Sequence, residues 1–139
     1  MKVTVDTNVL ISATFWHGDS FRILQLVENK KIELVLSLEI LQEYAEVLEY
    51  DEIQEKIKGK NLEMKQTVQK IQALAAIVTP HTKQEIIKDD PDDNMVLECA
   101  LEGQVQYIIT QDKHLLKLKE FQGIKIATPS EFLKNKASE

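Results

Sequence analysis

Lys2-Val3-Thr4-Val5-Asp6-Thr7-Asn8 is a short apolar run, rich in β-branched residues, that stops at an acid and two small polar residues. Such a run reads as a β-strand. A strand ending in Asp-Thr-Asn sets one carboxylate and two side-chain hydrogen-bonding groups at its carboxyl end. In open α/β sheets that edge is where ligands bind. The apolar run resumes after it as Val9-Leu10-Ile11. The informative question for the remaining sequence is which other acids reach the same edge.

Length and composition set the frame. At 139 residues, 43% hydrophobic and 29% charged, the chain reads as a single domain (1–139) with enough material for a core. No apolar run approaches the ~20 residues of a membrane span. The first residues lack the features of a secretory signal. Cys99 is the single cysteine, which excludes an internal disulfide and fits a reducing compartment. A cytoplasmic protein without membrane association is the expectation. The net charge of −6 argues against a dedicated duplex-DNA binder but not against a nuclease, whose carboxylates can be offset by bound cations. The 17 basic residues are all lysine except Arg22. Their clusters at Lys30-Lys31, at Lys56, Lys58 and Lys60, and at Lys113, Lys117 and Lys119 read first as solvated faces, with phosphate contact left open. His17, His81 and His114 are far apart in sequence, and none falls in a ligand motif.

Downstream of the opening strand, Phe21, Ile23, Leu24 and Val27 repeat at helical spacing and Asn29-Lys30-Lys31 closes that helix. Ile32–Leu36 reads as a second strand and Ser37 as the N-cap of a helix running to about Tyr50. At about 100° per residue, Ile40, Leu41, Tyr44, Ala45, Val47 and Leu48 share one broad arc. Glu43 lies just outside one border of that arc. It is also roughly 9 Å of helix rise nearer the strand end than Glu49. If this helix supplies an acid to the sheet edge, Glu43 is the better candidate; a surface glutamate is the alternative. Asp51–Lys58, ended by Gly59, and Leu62–Ile77 read as a helical arm over 51–77. Leu62, Val68, Ile71, Leu74 and Ala75 form its expected inner face, and a brief extended segment stops at Pro80.

Lys88-Asp89-Asp90-Pro91-Asp92-Asp93-Asn94 precedes an apolar helix that Gly103 is expected to end. Asp90 can cap that helix, with Pro91 in its first position and Asp92 and Asp93 favouring its positive end. Yet four acids within five residues exceed what one cap needs, and like charges so close repel unless a cation sits among them. Val105–Thr110 reads as a third strand followed by Gln111-Asp112, the same ending as at Asp6. Asp112 is equally readable as the cap of the short helix through Leu115 and Leu116. Gly123–Ala127 reads as a last strand. Thr128-Pro129-Ser130-Glu131 opens a final helix with a capping box, and residues 134–139 are expected to fray. Strands alternate with helices, which predicts a three-layer α/β/α fold on a twisted, mainly parallel sheet of about 4–5 strands.

Taken together, Val5-Asp6-Thr7-Asn8-Val9-Leu10-Ile11-Ser12, the helix holding Glu43, Asp90-Pro91-Asp92-Asp93-Asn94 with Leu97 and Ala100, and Ile108-Ile109-Thr110-Gln111-Asp112 resemble the PIN-domain ribonucleases. The likeness spans nearly the whole chain in order and is greatest to the compact toxin components of toxin–antitoxin pairs. Gln111 departs from the glycine common in that group. The resemblance implies catalytic and metal-holding acids at Asp6, Glu43, Asp93 and Asp112. Thr7, Asn8, Thr110 and Asp92 would be supporting polar groups, with Asp89 and Asp92 less firmly matched. It further implies Mg²⁺ or Mn²⁺, hydrolysis of RNA to 5′-phosphate and 3′-hydroxyl ends, a cognate antitoxin protein and a homodimer. An all-oxygen donor set agrees with those hard cations. The competing reading is a PIN-fold binding or regulatory module with little nuclease activity. A receiver or haloacid-type phosphatase is disfavoured, because Thr7-Asn8 follow Asp6 where those need further acids.

Overall fold

The computed structural model describes residues 1–58, 64–80 and 91–137, without the side chains of 64–68 and Pro91. Gly59, Leu62, Asp89, Asp90 and the side chain of Val68, all invoked above, lie outside the described residues. In chain order the elements are β1 (Lys2–Val5), α1 (Thr7–Phe15), α2 (Asp19–Glu28), β2 (Glu33–Ser37), α3 (Leu38–Leu48), α4 (Asp51–Ile57) and α5 (Met64–Leu74). They continue as β3 (Ala76–Val78), α6 (Pro91–Gly103), β4 (Tyr107–Ile109), α7 (Lys113–Leu116), β5 (Glu120–Phe121), β6 (Ile124–Ala127) and α8 (Pro129–Ala137).

The strands form one sheet in the order β3-β2-β1-β4-β6-β5. All pairings are parallel except β5 with β6. Six strands exceed the expected four to five. The extra one, β5, is a two-residue edge strand that returns antiparallel on β6, too short to leave a pattern in sequence. The chain winds outward from β1 through β2 to β3, then crosses back to place β4 on the other side of β1. The crevice between β1 and β4 is therefore the topological switch point.

Both faces of the sheet are covered, which is why its strands read as nearly continuous apolar runs. On one face Val5 and Leu34 meet Val9 and Leu10 of α1 and Leu24 and Val27 of α2. On the other, Thr4 faces Cys99 of α6 across 3.5 Å, and the Cys99 thiol points at the Val35 carbonyl. That burial pushes the Cys99 thiol up to about 11. Val3, Leu36, Tyr44, Leu97, Ile108, Ile109 and Phe132 are fully enclosed in the resulting core. Among the described residues, no helix is long and apolar enough to cross a membrane.

Three local features add to or correct the reading from sequence. The apolar run after Asp6, given no element from the sequence, is a helix, α1. Its Val9, Leu10, Ile11, Ala13 and Phe15 are all buried and only Asn8 and Ser12 are exposed, so its polar stripe is narrow. Gly103 is the last residue of α6, as expected, but is not itself left-handed. Gln104 is, at φ 52°, with Val105 N–H bonding back to the Ala100 carbonyl at 3.2 Å. Gly103 is instead a packing position, since a Cβ there would lie 2.5 Å from Cγ1 of Val35. Finally, α8 stays helical through Ala137, beyond the fraying expected from 134. Its capping box is formed in both directions, Glu131 N–H to Thr128 Oγ1 at 3.1 Å and Thr128 N–H to Glu131 Oε1 at 3.3 Å.

Candidate active site

The site is built on register. Val5 of β1 pairs with Ile109 of β4, so the next residues, Asp6 and Thr110, stand side by side where both strands end. Asp6 Oδ1 accepts the Val9 N–H at 2.9 Å and caps α1. Its Oδ2 accepts a short hydrogen bond from the Thr110 hydroxyl. Thr110 Oγ1 in turn accepts the Asp112 N–H at 2.9 Å. Asp112 Oδ1 then caps α7, taking the N–H groups of His114 at 2.8 Å and Leu115 at 3.3 Å. Thr110, fully buried, thus locks two acids from two strand ends into one hydrogen-bonded chain.

Glu43 arrives from α3, half-buried, and accepts a hydrogen bond from the buried Thr7 hydroxyl. Burial pushes its carboxyl above the ordinary range; the negative fields of Asp92, Asp6 and Glu46 push the same way, against the Thr7 bond. Asp6 is raised as well, chiefly by burial and further by Asp112, despite the stabilising bonds from Thr110, Val9 and Asn8. These mutual influences mark Asp6, Glu43, Asp92 and Asp112 as one electrostatic cluster. Asp93, 5% exposed, enters from the first turn of α6. Single ligand atoms from Asp93, Asp112 and His114 lie within 4.8 Å of one another.

The sequence-derived set is therefore brought together almost whole. Asp6, Glu43, Asp93 and Asp112 line one end of the sheet, with Thr7 and Thr110 bonded to the first two acids as described. Asp92 is exposed and faces Glu43. Asn8 reaches Asp6 through its backbone N–H, while its side chain is exposed. The residue missed was His114. It was set aside for lack of a ligand motif, yet its imidazole Nδ1 is 3.7 Å from Asp93 Oδ2 and 3.8 Å from Asp112 Oδ1. The signal for it was its position two residues after an acid already singled out.

A cluster of carboxylates that raise one another's pKa, some with oxygens already held by hydrogen-bond donors, has the donor chemistry of a divalent cation site. The residues present fit such a group.

Comparison with known proteins agrees with this geometry. The sequence profile of the PIN domain matches residues 2–114. Among solved structures, the chain is similar to VapBC2 from Rickettsia felis, solved bound to a DNA fragment from their promoter. That match has a TM-score of 0.59 at 17% sequence identity and covers 91% of this chain and 97% of the other. A comparison with curated proteins gave no significant match. With the profile spanning the site and most of the sheet, this chain belongs to the PIN-domain family.

Proposed function

We propose that the protein is a divalent-metal-dependent endoribonuclease and the toxin of a toxin–antitoxin pair. The observation that carries the reading is the convergence of Asp6, Glu43, Asp93 and Asp112 at the switch point, with Asp6 and Glu43 held above their ordinary pKa. Such a cluster destabilises itself without a cation and so is poorly explained as structural. Membership in a family of nucleases supports the activity. Likeness to a VapBC assembly supports a partner protein that restrains it.

In this reading Asp6, Glu43, Asp93 and Asp112 hold Mg²⁺ or Mn²⁺. When bound, the ion supplies an activated water and neutralises charge on the scissile phosphate. The chain's own contribution is placement. Thr110 fixes the Asp6 carboxylate in one rotamer and ties it to Asp112. Thr7 orients Glu43. At Asp6 the oxygen that does not cap α1 accepts the Thr110 hydroxyl, and at Asp112 a single oxygen, Oδ1, makes both cap bonds. No side chain is needed as a covalent nucleophile.

The test is incubation of the purified protein, freed of any co-purifying partner, with a panel of RNAs in Mg²⁺ or Mn²⁺. Cleavage leaving 5′-phosphate and 3′-hydroxyl ends is expected, abolished by EDTA and reduced at least ~10³-fold in Asp6→Asn. Undiminished cleavage by Asp6→Asn would overturn the assignment. Complete inactivity of the wild type on every RNA would favour a binding module.

A further inference from the structure

The acid cluster contains one donor that is not an oxygen. His114 follows Asp112 by two residues, and its backbone N–H is bonded to the Asp112 carboxylate at 2.8 Å. That bond holds the residue against the acid whatever its side chain does. The side chain is 66% exposed, but its Nδ1 lies 3.7 Å from Oδ2 of the buried Asp93 and 3.8 Å from Asp112 Oδ1, the oxygen that also accepts the α7 amides. The three donors come from two elements, α6 and the β4–α7 junction, so local sequence alone does not force them together.

Their spacing suits a shared cation. Metal–ligand bonds of ~2.1 Å put two ligands roughly 3.0 Å apart at right angles and roughly 4.2 Å apart when opposed. The observed 3.7 and 3.8 Å fall between these limits. We propose that His114 Nδ1 is a metal ligand of this site, completing it together with Asp93 and Asp112 and turning its preference from Mg²⁺ toward Mn²⁺ or a similar transition ion. The inference rests on the metal-dependent reading above and deepens it. Mg²⁺ takes oxygen ligands and gives little to an imidazole, whereas Mn²⁺ and the later divalent ions accept one readily. An all-carboxylate site would discriminate poorly between the two; a site with one nitrogen donor favours the transition ion.

The distinguishing measurement is pulsed electron paramagnetic resonance of Mn²⁺ bound to the full chain, in wild type, His114→Ala and His114→Gln. It is paired with calorimetric titration of Mn²⁺ and of Mg²⁺. His114 is exposed and its backbone bond survives substitution, so both variants should fold, which circular dichroism checks. Wild type is expected to show nitrogen modulation from a directly bound imidazole, absent in both variants. The Mn²⁺ dissociation constant should rise by ~10-fold or more while that for Mg²⁺ changes by less than ~3-fold, the scale expected for loss of one ligand contact. Mn²⁺ binding without nitrogen modulation overturns the role of His114 and leaves the carboxylate site intact. Modulation that persists in both variants belongs to another histidine and overturns it equally. Failure of the wild type to bind Mn²⁺ at all overturns this inference together with the metal-dependent reading beneath it.

Discussion

One oxygen of Asp6 holds the first turn of α1 through the Val9 amide, and the other receives the Thr110 hydroxyl. Both bonds favour the charged form, yet burial and Asp112 outweigh them and the carboxyl is raised. Asparagine in its place can keep the N-cap with its one oxygen, turns its amide N–H toward Thr110 Oγ1, which can accept it, and removes the repulsion. We therefore expect Asp6→Asn to raise the metal-free stability by roughly 0.5–2 kcal/mol while removing activity, a trade common at active sites. Urea denaturation in EDTA checks it. Equal or lower stability would show that the acid is not a source of strain. At this scale the sequence was most legible where an acid ended a strand. Asp6 and Asp112 announce themselves in that way, and Glu43 through its place at the border of an apolar arc. The closeness of His114 to this site was not legible, because it depends on Asp93 arriving from another element.

Between helix and sheet, Gly103 ends α6 by packing and Gln104 turns the chain in the left-handed region. The Cβ of Gly103→Ala would meet Cγ1 of Val35, a buried, stiff, β-branched side chain in the middle of the sheet. The variant should lose about 1–3 kcal/mol by overpacking. Gln104→Gly should gain about 0.5–1 kcal/mol, because glycine enters the left-handed region without steric cost. Thermal melts of the two variants give opposite signs if this division is right. The same sequence feature, a glycine near a helix end, fits either role, and only the proximity of Val35 decides between them. α1 stayed hidden for a related reason. With Asn8 and Ser12 its exposed residues, α1 carries only a narrow polar stripe, and its first turn follows directly on the strand before it. α3 and α8 were readable because each keeps a wet face and a side-chain cap.

At the scale of the molecule, parallel winding brings the carboxyl ends of β1 and β4 together and with them Asp6 and Asp112. That arrangement followed from the alternation of strands and helices. The exact strand count did not, since β5 is only two residues long. The cluster also fixes how stability depends on pH. Asp6 and Glu43 titrate in the folded state above their ordinary values of 3.8 and 4.5. The folded protein therefore binds these protons more tightly than the unfolded chain does. Their contribution to stability is complete below those ordinary values and is lost as pH rises through the raised folded ones. A divalent cation replaces the protons. The increase in melting temperature produced by Mg²⁺ or Mn²⁺ over EDTA should thus grow from mildly acidic to neutral pH, and an increment independent of pH would contradict it. The double duty of the capping acids reaches beyond biophysics into the mutational routes open to a gene under selection. A single base change turns aspartate into asparagine, glycine, alanine, valine, tyrosine, histidine or glutamate. Of these, asparagine best preserves the caps that start α1 and α7. If the proposed activity is toxic to cells, survivors that still make soluble product should carry Asp6→Asn or Asp112→Asn more often than other changes at those codons. Sequencing soluble and insoluble escape clones separately would count them.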